Sequence, residues 1–153
     1  MTTTAVPVGD WIRGITIRQP WTTAILTGEK TVENRPRPWS WRGWLLLHAG
    51  AATEPTAMRD PLVATAIRGL GLPTRAVIGV ARLTDCHQDA VGTAPCSTWA
   101  QPDAFHLVLA DVHELALPIP WRHGQLGPWR PPQDLVDQVL LQLPHLSPEG
   151  SSS

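Results

Sequence analysis

Lys30 is the one lysine among the twelve basic side chains of this 153-residue chain; the others are all arginine. It lies in the run Gly28-Glu29-Lys30-Thr31-Val32-Glu33-Asn34-Arg35, beside two glutamates and an arginine. Lysine offers a compact, movable ammonium whose pKa shifts on burial, whereas arginine offers a permanently charged planar fork. In an extended segment alternate residues share a face, so Thr31, Glu33 and Arg35 project together and Lys30 joins them from the preceding turn. An acid, an ammonium and a guanidinium at one place can accept from an exocyclic amine, grip a phosphate or exchange protons. The ordinary alternative is a surface ion pair of Glu33 with Arg35, contributing at most about 1 kcal/mol.

The flanking residues favour a ligand over that alternative. Arg18, Gln19 and Trp21 precede the run, and Trp39, Trp41, Arg42 and Trp44 follow it. Bases stack on indole faces while arginines hold phosphates. Eight of the nine aromatic side chains are tryptophan and none is tyrosine. Large indoles must pack or bind something; the expected division puts Trp21, Trp39 and Trp99 in a cleft and leaves Trp11, Trp44, Trp121 and Trp129 to fill volume. His48 ends a strand near the run, either as a satisfied core histidine or in contact with ligand. Cys86, His87, Cys96 and His106 match no paired metal-ligand spacing, so no metal or cofactor is expected, and Asp85 and Asp89 read as loop caps.

The elements that must position these groups are short. Ile15 and Ile17 mark a strand; Pro20 opens a helix that runs to Thr27 and ends at Gly28. Thr31 to Arg35 is extended until Pro36 and Pro38 stop it. Trp44 to His48 reads as a buried strand. Residues 55 to 70 carry a helical period that Pro61 divides. Arg75 to Thr84 and Phe105 to Glu114 read as strands joined by a polar loop, and Leu117 to Pro132 reads as irregular. Gln133 to Leu143 closes with an amphipathic helix. Short strands with unevenly spaced helices indicate an α+β domain around a small antiparallel sheet or barrel. No glycine-rich phosphate loop or dinucleotide fingerprint occurs.

Composition bounds the function. Charged residues make up 16% and the net charge is −1, which argues against coating nucleic acid by bulk electrostatics. Arg13, Arg18, Lys30, Arg35, Arg37 and Arg42 nevertheless fall together in a stretch with few acids. Two cysteines do not make a disulfide scaffold, and no apolar run approaches the ~20 residues of a membrane span. The expectation is a cytoplasmic monomer, with residues 1–10 and 144–153 loose around one domain over 11–143.

Three segments together resemble the ASCH domain, the activating signal cointegrator homology module. They are Ile15-Thr16-Ile17-Arg18-Gln19-Pro20-Trp21, then Gly28-x-Lys30-x-x-Glu33-x-Arg35, then Trp41-Arg42-Gly43-Trp44 through His48-Ala49-Gly50. The strand Ile78 to Leu83, the element Ser97-x-Trp99-Ala100, the run Leu117 to Pro120 and the stretch Gly124 to Trp129 follow in the order of that family, so the likeness covers most of residues 13–131. The resemblance implies a PUA-like β-barrel with flanking helices, related to domains that bind RNA or modified bases in a cleft. It places Lys30, Glu33 and Arg35 at the mouth, with Arg18, Gln19, Trp21, Trp39, Arg42, His48 and Trp99 as further binding residues. The leading expectation is recognition of single-stranded RNA or a modified nucleobase. The alternative is a small hydrolase using Lys30 and Glu33. Some small bacterial relatives are similar to amidohydrolases that deacetylate N4-acetylcytidine with a lysine, a threonine and a glutamate, but Glu33 stands where that threonine is expected. Ribonuclease activity is also associated with ASCH relatives, and here Lys30 and His48 would be its acid and base. A third reading is a protein-interaction module presenting the proline-rich 117–132 segment.

Overall fold

A computed structural model describes residues 10–148. In chain order it holds β1 (Ile12–Gln19), α1 (Trp21–Leu26), β2 (Val32–Arg35), β3 (Gly43–Thr53), a 3-10 turn (Pro55–Arg59), α2 (Pro61–Ala66), β4 (Ala76–His87), β5 (Phe105–Pro120) and α3 (Gln133–Gln142). The five strands form one mixed sheet in the order β1-β3-β4-β5-β2, with β1 parallel to β3 and every other pairing antiparallel. The class is α+β, as expected.

The sheet is buried on both faces, which explains why Trp44 to Leu47 reads as an unbroken apolar run rather than an alternating one. Trp44 and Leu46 join Ile12, Val77, Val80, Leu115, Ile119 and Trp129 on one face, where Leu135, Val136 and Val139 of α3 cover them. Leu45 and Leu47 point the other way and pack with Ile15, Ile17, Ile25, Trp39, Leu83, Leu107 and Leu109. Gly14 is required on the α3 side: a Cβ there would lie 2.1 Å from a ring carbon of Trp129. Ring atoms of that indole occupy the place a side chain at Gly14 would take, and Gly14 and Trp129 exchange hydrogen bonds of 2.7 and 3.1 Å.

The edge strands β1 and β2 meet without a backbone ladder between them, so no closed barrel forms among the described residues. A side chain spans the seam instead, Arg35 Nη2 donating to the Thr16 carbonyl at 2.9 Å.

Two segments depart from the sequence expectation. The region Leu117 to Pro120, read as irregular, continues β5, with Ile119 opposite Val77 and Pro120 opposite Ala76. Pro118 and Pro120 are tolerated because β2 pairs only with residues 105–108, leaving this end of β5 on an edge where no N–H is needed. The tail expected to be loose from residue 144 is packed through its first residues: Leu146 is 5% exposed in the α3 core, and Trp44 Nε1 donates to the Ser147 carbonyl. Most of the expected loose N-terminus and the last five residues lie outside the described residues. The division of the 55–70 helix at Pro61 is observed, with Asp60 accepting from the Leu62 amide as the cap of α2. No helix among the described residues is long and apolar enough to cross a membrane.

Candidate functional site

A cleft of about 880 Å³ opens along the seam between β1 and β2. Thr16, Ile17 and Arg18 form one lip, and Glu33, Asn34 and Arg35 form the other. Trp21 at the start of α1 and Trp99 in the loop between β4 and β5 also line it, as do Arg122 and Gly124 from the segment after β5. That last segment lies hard against β1, since a Cβ on Gly124 would come within 2.6 Å of Thr16 Cγ2.

Lys30 is buried in the cleft wall at 2% exposure. Its backbone N–H donates to the Ala24 carbonyl, which turns the side chain inward from the end of α1. The ammonium donates to the Val32 carbonyl and lies 3.4 Å from Glu33 Oε1. It also stands 5.5 Å from the Trp21 ring centroid and 5.7 Å from that of Trp99, within cation–π range of both. Burial pushes its pKa below the ordinary lysine range; Glu33 pulls it back in part, and Arg35 adds to the lowering. The other Glu33 oxygen, Oε2, receives Arg35 Nη2 at 3.2 Å, so one carboxylate bridges two cations across the row.

The remaining expected residues divide by position. Arg18 lines the cleft, largely exposed and paired with Glu54 at 2.8 Å. Gln19, fully buried, does not reach the cleft: its Oε1 accepts from the Thr23 amide and its Nε2 donates to the Pro73 carbonyl, tying α1 to a distant loop. Trp39 packs in the core behind Arg35, its ring 5.6 Å from the guanidinium carbon. Arg42 turns back onto the Trp39 and Trp41 carbonyls. His48 is a satisfied core histidine at 0% exposure, bonded to Thr16 Oγ1 and the Trp121 carbonyl, and its burial removes it from the ribonuclease reading. These four were expected in the cleft and are not among its lining residues: Gln19, Trp39 and His48 are buried, and the exposed Arg42 is engaged by the two carbonyls.

Three residues unnoticed in the sequence complete the cleft. Asn34 donates to the Trp99 carbonyl and accepts from the Gln101 amide, both at 2.9 Å, and so holds the loop that carries the Trp99 wall. Thr16 Oγ1 joins His48, Trp129 and the Gln125 amide. Arg122 stands exposed on the lining with no carboxylate partner among the described residues. A separate cluster gathers at the base of the β4–β5 loop, where His87, Cys96 and His106 meet Asp89, while Cys86 turns away toward the Trp39 amide.

The α+β sheet is thus open along one seam, and the cleft there carries an ammonium, a carboxylate and a guanidinium on its wall. The chain belongs to the ASCH domain family, which matches residues 15–121. Its fold is similar to the crystal structure of a single-substitution mutant of the ASCH protein from Zymomonas mobilis, with TM-score 0.56, 17% identity, and 88% of this chain and 97% of that one covered. The ASCH structure from the same organism without that substitution gives TM-score 0.52 at 17% identity, over 85% and 94% of the two chains. No curated protein matches the chain.

Proposed function

We propose that this ASCH domain recognises single-stranded RNA or a modified nucleobase, holding one base in the seam cleft. The observation that carries this reading is the desolvated Lys30–Glu33–Arg35 row beside the indoles of Trp21 and Trp99. The cleft volume of about 880 Å³ is within the several hundred to about 1,000 Å³ of small-ligand sites. Glu33 retains lone pairs for an exocyclic amine, the indole edges give a base an apolar wall, and Arg122 and Arg18 on the lining suit phosphates. The test measures affinity for short RNA oligonucleotides and for modified nucleosides in Glu33→Gln and Arg35→Ala, with circular dichroism as the control for folding. Each variant is expected to lose at least about tenfold in affinity, because a hydrogen bond to a charged group contributes roughly 1.5–3 kcal/mol. Unchanged affinity in both refutes the reading.

The lowered Lys30 pKa supports a second reading, hydrolysis. A desolvated amine next to a carboxylate is an acid–base pair able to activate a nucleophile. Incubation with N4-acetylcytidine and with labelled RNA separates the two, since a binding module turns over neither.

A further inference from the structure

We propose that His87, Asp89, Cys96 and His106 form a Zn²⁺ site that clips the loop between β4 and β5. One ligand atom from each of the four lies within 4.8 Å of all the others. A tetrahedral zinc ion with bonds of about 2.0–2.3 Å sets its donors roughly 3.3–3.7 Å apart. The distances found are 3.1 Å from His87 Nε2 to Asp89 Oδ1, 3.5 Å from His106 Nδ1 to Asp89 Oδ2, and 3.5 Å from Cys96 Sγ to His106 Nδ1. The two Asp89 distances involve different oxygens, and the remaining donor pairs, within 4.8 Å, close by up to about 1 Å when the shell forms.

The outer nitrogens give an independent indication. His106 Nε2 lies 2.7 Å from the Gln101 carbonyl, and His87 Nδ1 lies 2.7 Å from Asp85 Oδ2. A carbonyl or carboxylate behind an imidazole accepts a hydrogen bond from the outer N–H, which fixes the tautomer and leaves the inner lone pair for a metal, the usual support of ligating histidines. Here both inner nitrogens face the same point. Two of the ligands sit on the sheet itself: His87 and His106 are register partners at the facing ends of β4 and β5, and His106 is 2% exposed. Asp89 and Cys96 come from the loop, and Asp89 Oδ2 already accepts the Cys96 amide at 2.9 Å.

The donor set selects the ion. Two imidazoles, a thiolate and a carboxylate suit a borderline-soft divalent metal and not magnesium or calcium. The thiolate and carboxylate together neutralise a dication, and the thiol proton leaves on binding. Four protein ligands leave no open position, so the site is structural. Its reach extends to the cleft, because Gln101 accepts from His106 through its carbonyl and donates to Asn34 through its amide, two residues from Trp99.

The test titrates metal-stripped full-length protein with Co²⁺ alone and then with Zn²⁺. Expected are tetrahedral cobalt absorption and a thiolate-to-cobalt charge-transfer band that saturate at one equivalent and vanish as Zn²⁺ displaces cobalt. Cys96→Ser should abolish the thiolate band, Cys86→Ser should keep it, and His87→Ala should weaken cobalt binding at least tenfold. Absence of a saturable band in the unsubstituted protein overturns the proposal regardless of how any variant folds. So does a thiolate band that survives Cys96→Ser.

Discussion

A charged amine at 2% exposure is destabilising unless its partners offset the loss of water, and Lys30 has a carbonyl, a carboxylate and two indoles for that purpose. Its lowered pKa shows that burial outweighs the help from Glu33. The folded value therefore lies below the unfolded value near 10.4, and through that window the unfolded chain binds more protons. Stability contributed at this residue should rise with pH until the unfolded value is passed. The chain has no tyrosine and no second lysine, so the other side chains that ordinarily titrate in this window are the two cysteines. In metal-free protein the Cys96 thiol, raised by burial and by Asp89, acts in the opposite sense, because its folded form keeps a proton that the unfolded form has lost. The comparison is therefore made in a background carrying both Cys86→Ser and Cys96→Ser, where the denaturation midpoint should climb between neutral pH and about pH 10. Adding Lys30→Met should flatten that climb. An equal climb in both proteins would show that the ammonium is not desolvated.

At the scale of elements, Asn34 joins β2 to the loop that supplies Trp99, with one bond to the Trp99 carbonyl and one to the Gln101 amide. Each such bond contributes about 0.5–1.5 kcal/mol, so Asn34→Ala should loosen the loop by roughly 1–3 kcal/mol while the sheet stays intact. The readouts are faster hydrogen exchange at the Gln101 amide and greater acrylamide quenching of tryptophan emission. Unaltered exchange there would mean that the loop is held by other contacts. The same residue shows why some of the site was hidden in the sequence. Asn34 and Gln101 are 67 positions apart, and no local pattern announces such a pair. Asp89 was likewise visible only as a loop cap until the β4–β5 register brought His87 and His106 together. By contrast, α1 between Pro20 and Gly28, the break at Pro61 and the Lys30–Glu33–Arg35 row were legible because proline geometry, glycine at a helix end and side-chain alternation act within a few residues. The β5 extension was misread for the reverse reason: whether a proline is tolerated in a strand depends on which neighbour lacks a partner there, a property of the assembled sheet.

For the whole molecule, a net charge of −1 gives little long-range attraction for a polyanion, so on the proposed reading the electrostatic part of RNA binding comes from cations placed around the seam. Lys30 is buried, while Arg35 shares Glu33 and Arg18 shares Glu54. Arg122 alone among the cleft-lining cations has no carboxylate partner among the described residues, so a phosphate on it displaces no existing ion pair. If Arg18, Arg35 and Arg122 each meet one phosphate, the logarithm of affinity should fall with the logarithm of salt at a slope of about −2, since each contact to a single strand contributes about −0.7. Arg122→Ala should make that slope shallower by about 0.7 and weaken binding similarly for every sequence, whereas Glu33→Gln should weaken binding at all salt concentrations without lowering the slope. Equilibrium titrations of a fluorescent single-stranded RNA across a salt series measure both quantities. A slope near zero in the unsubstituted protein would place the phosphates away from this seam and leave a free base or nucleoside as the ligand of the cleft.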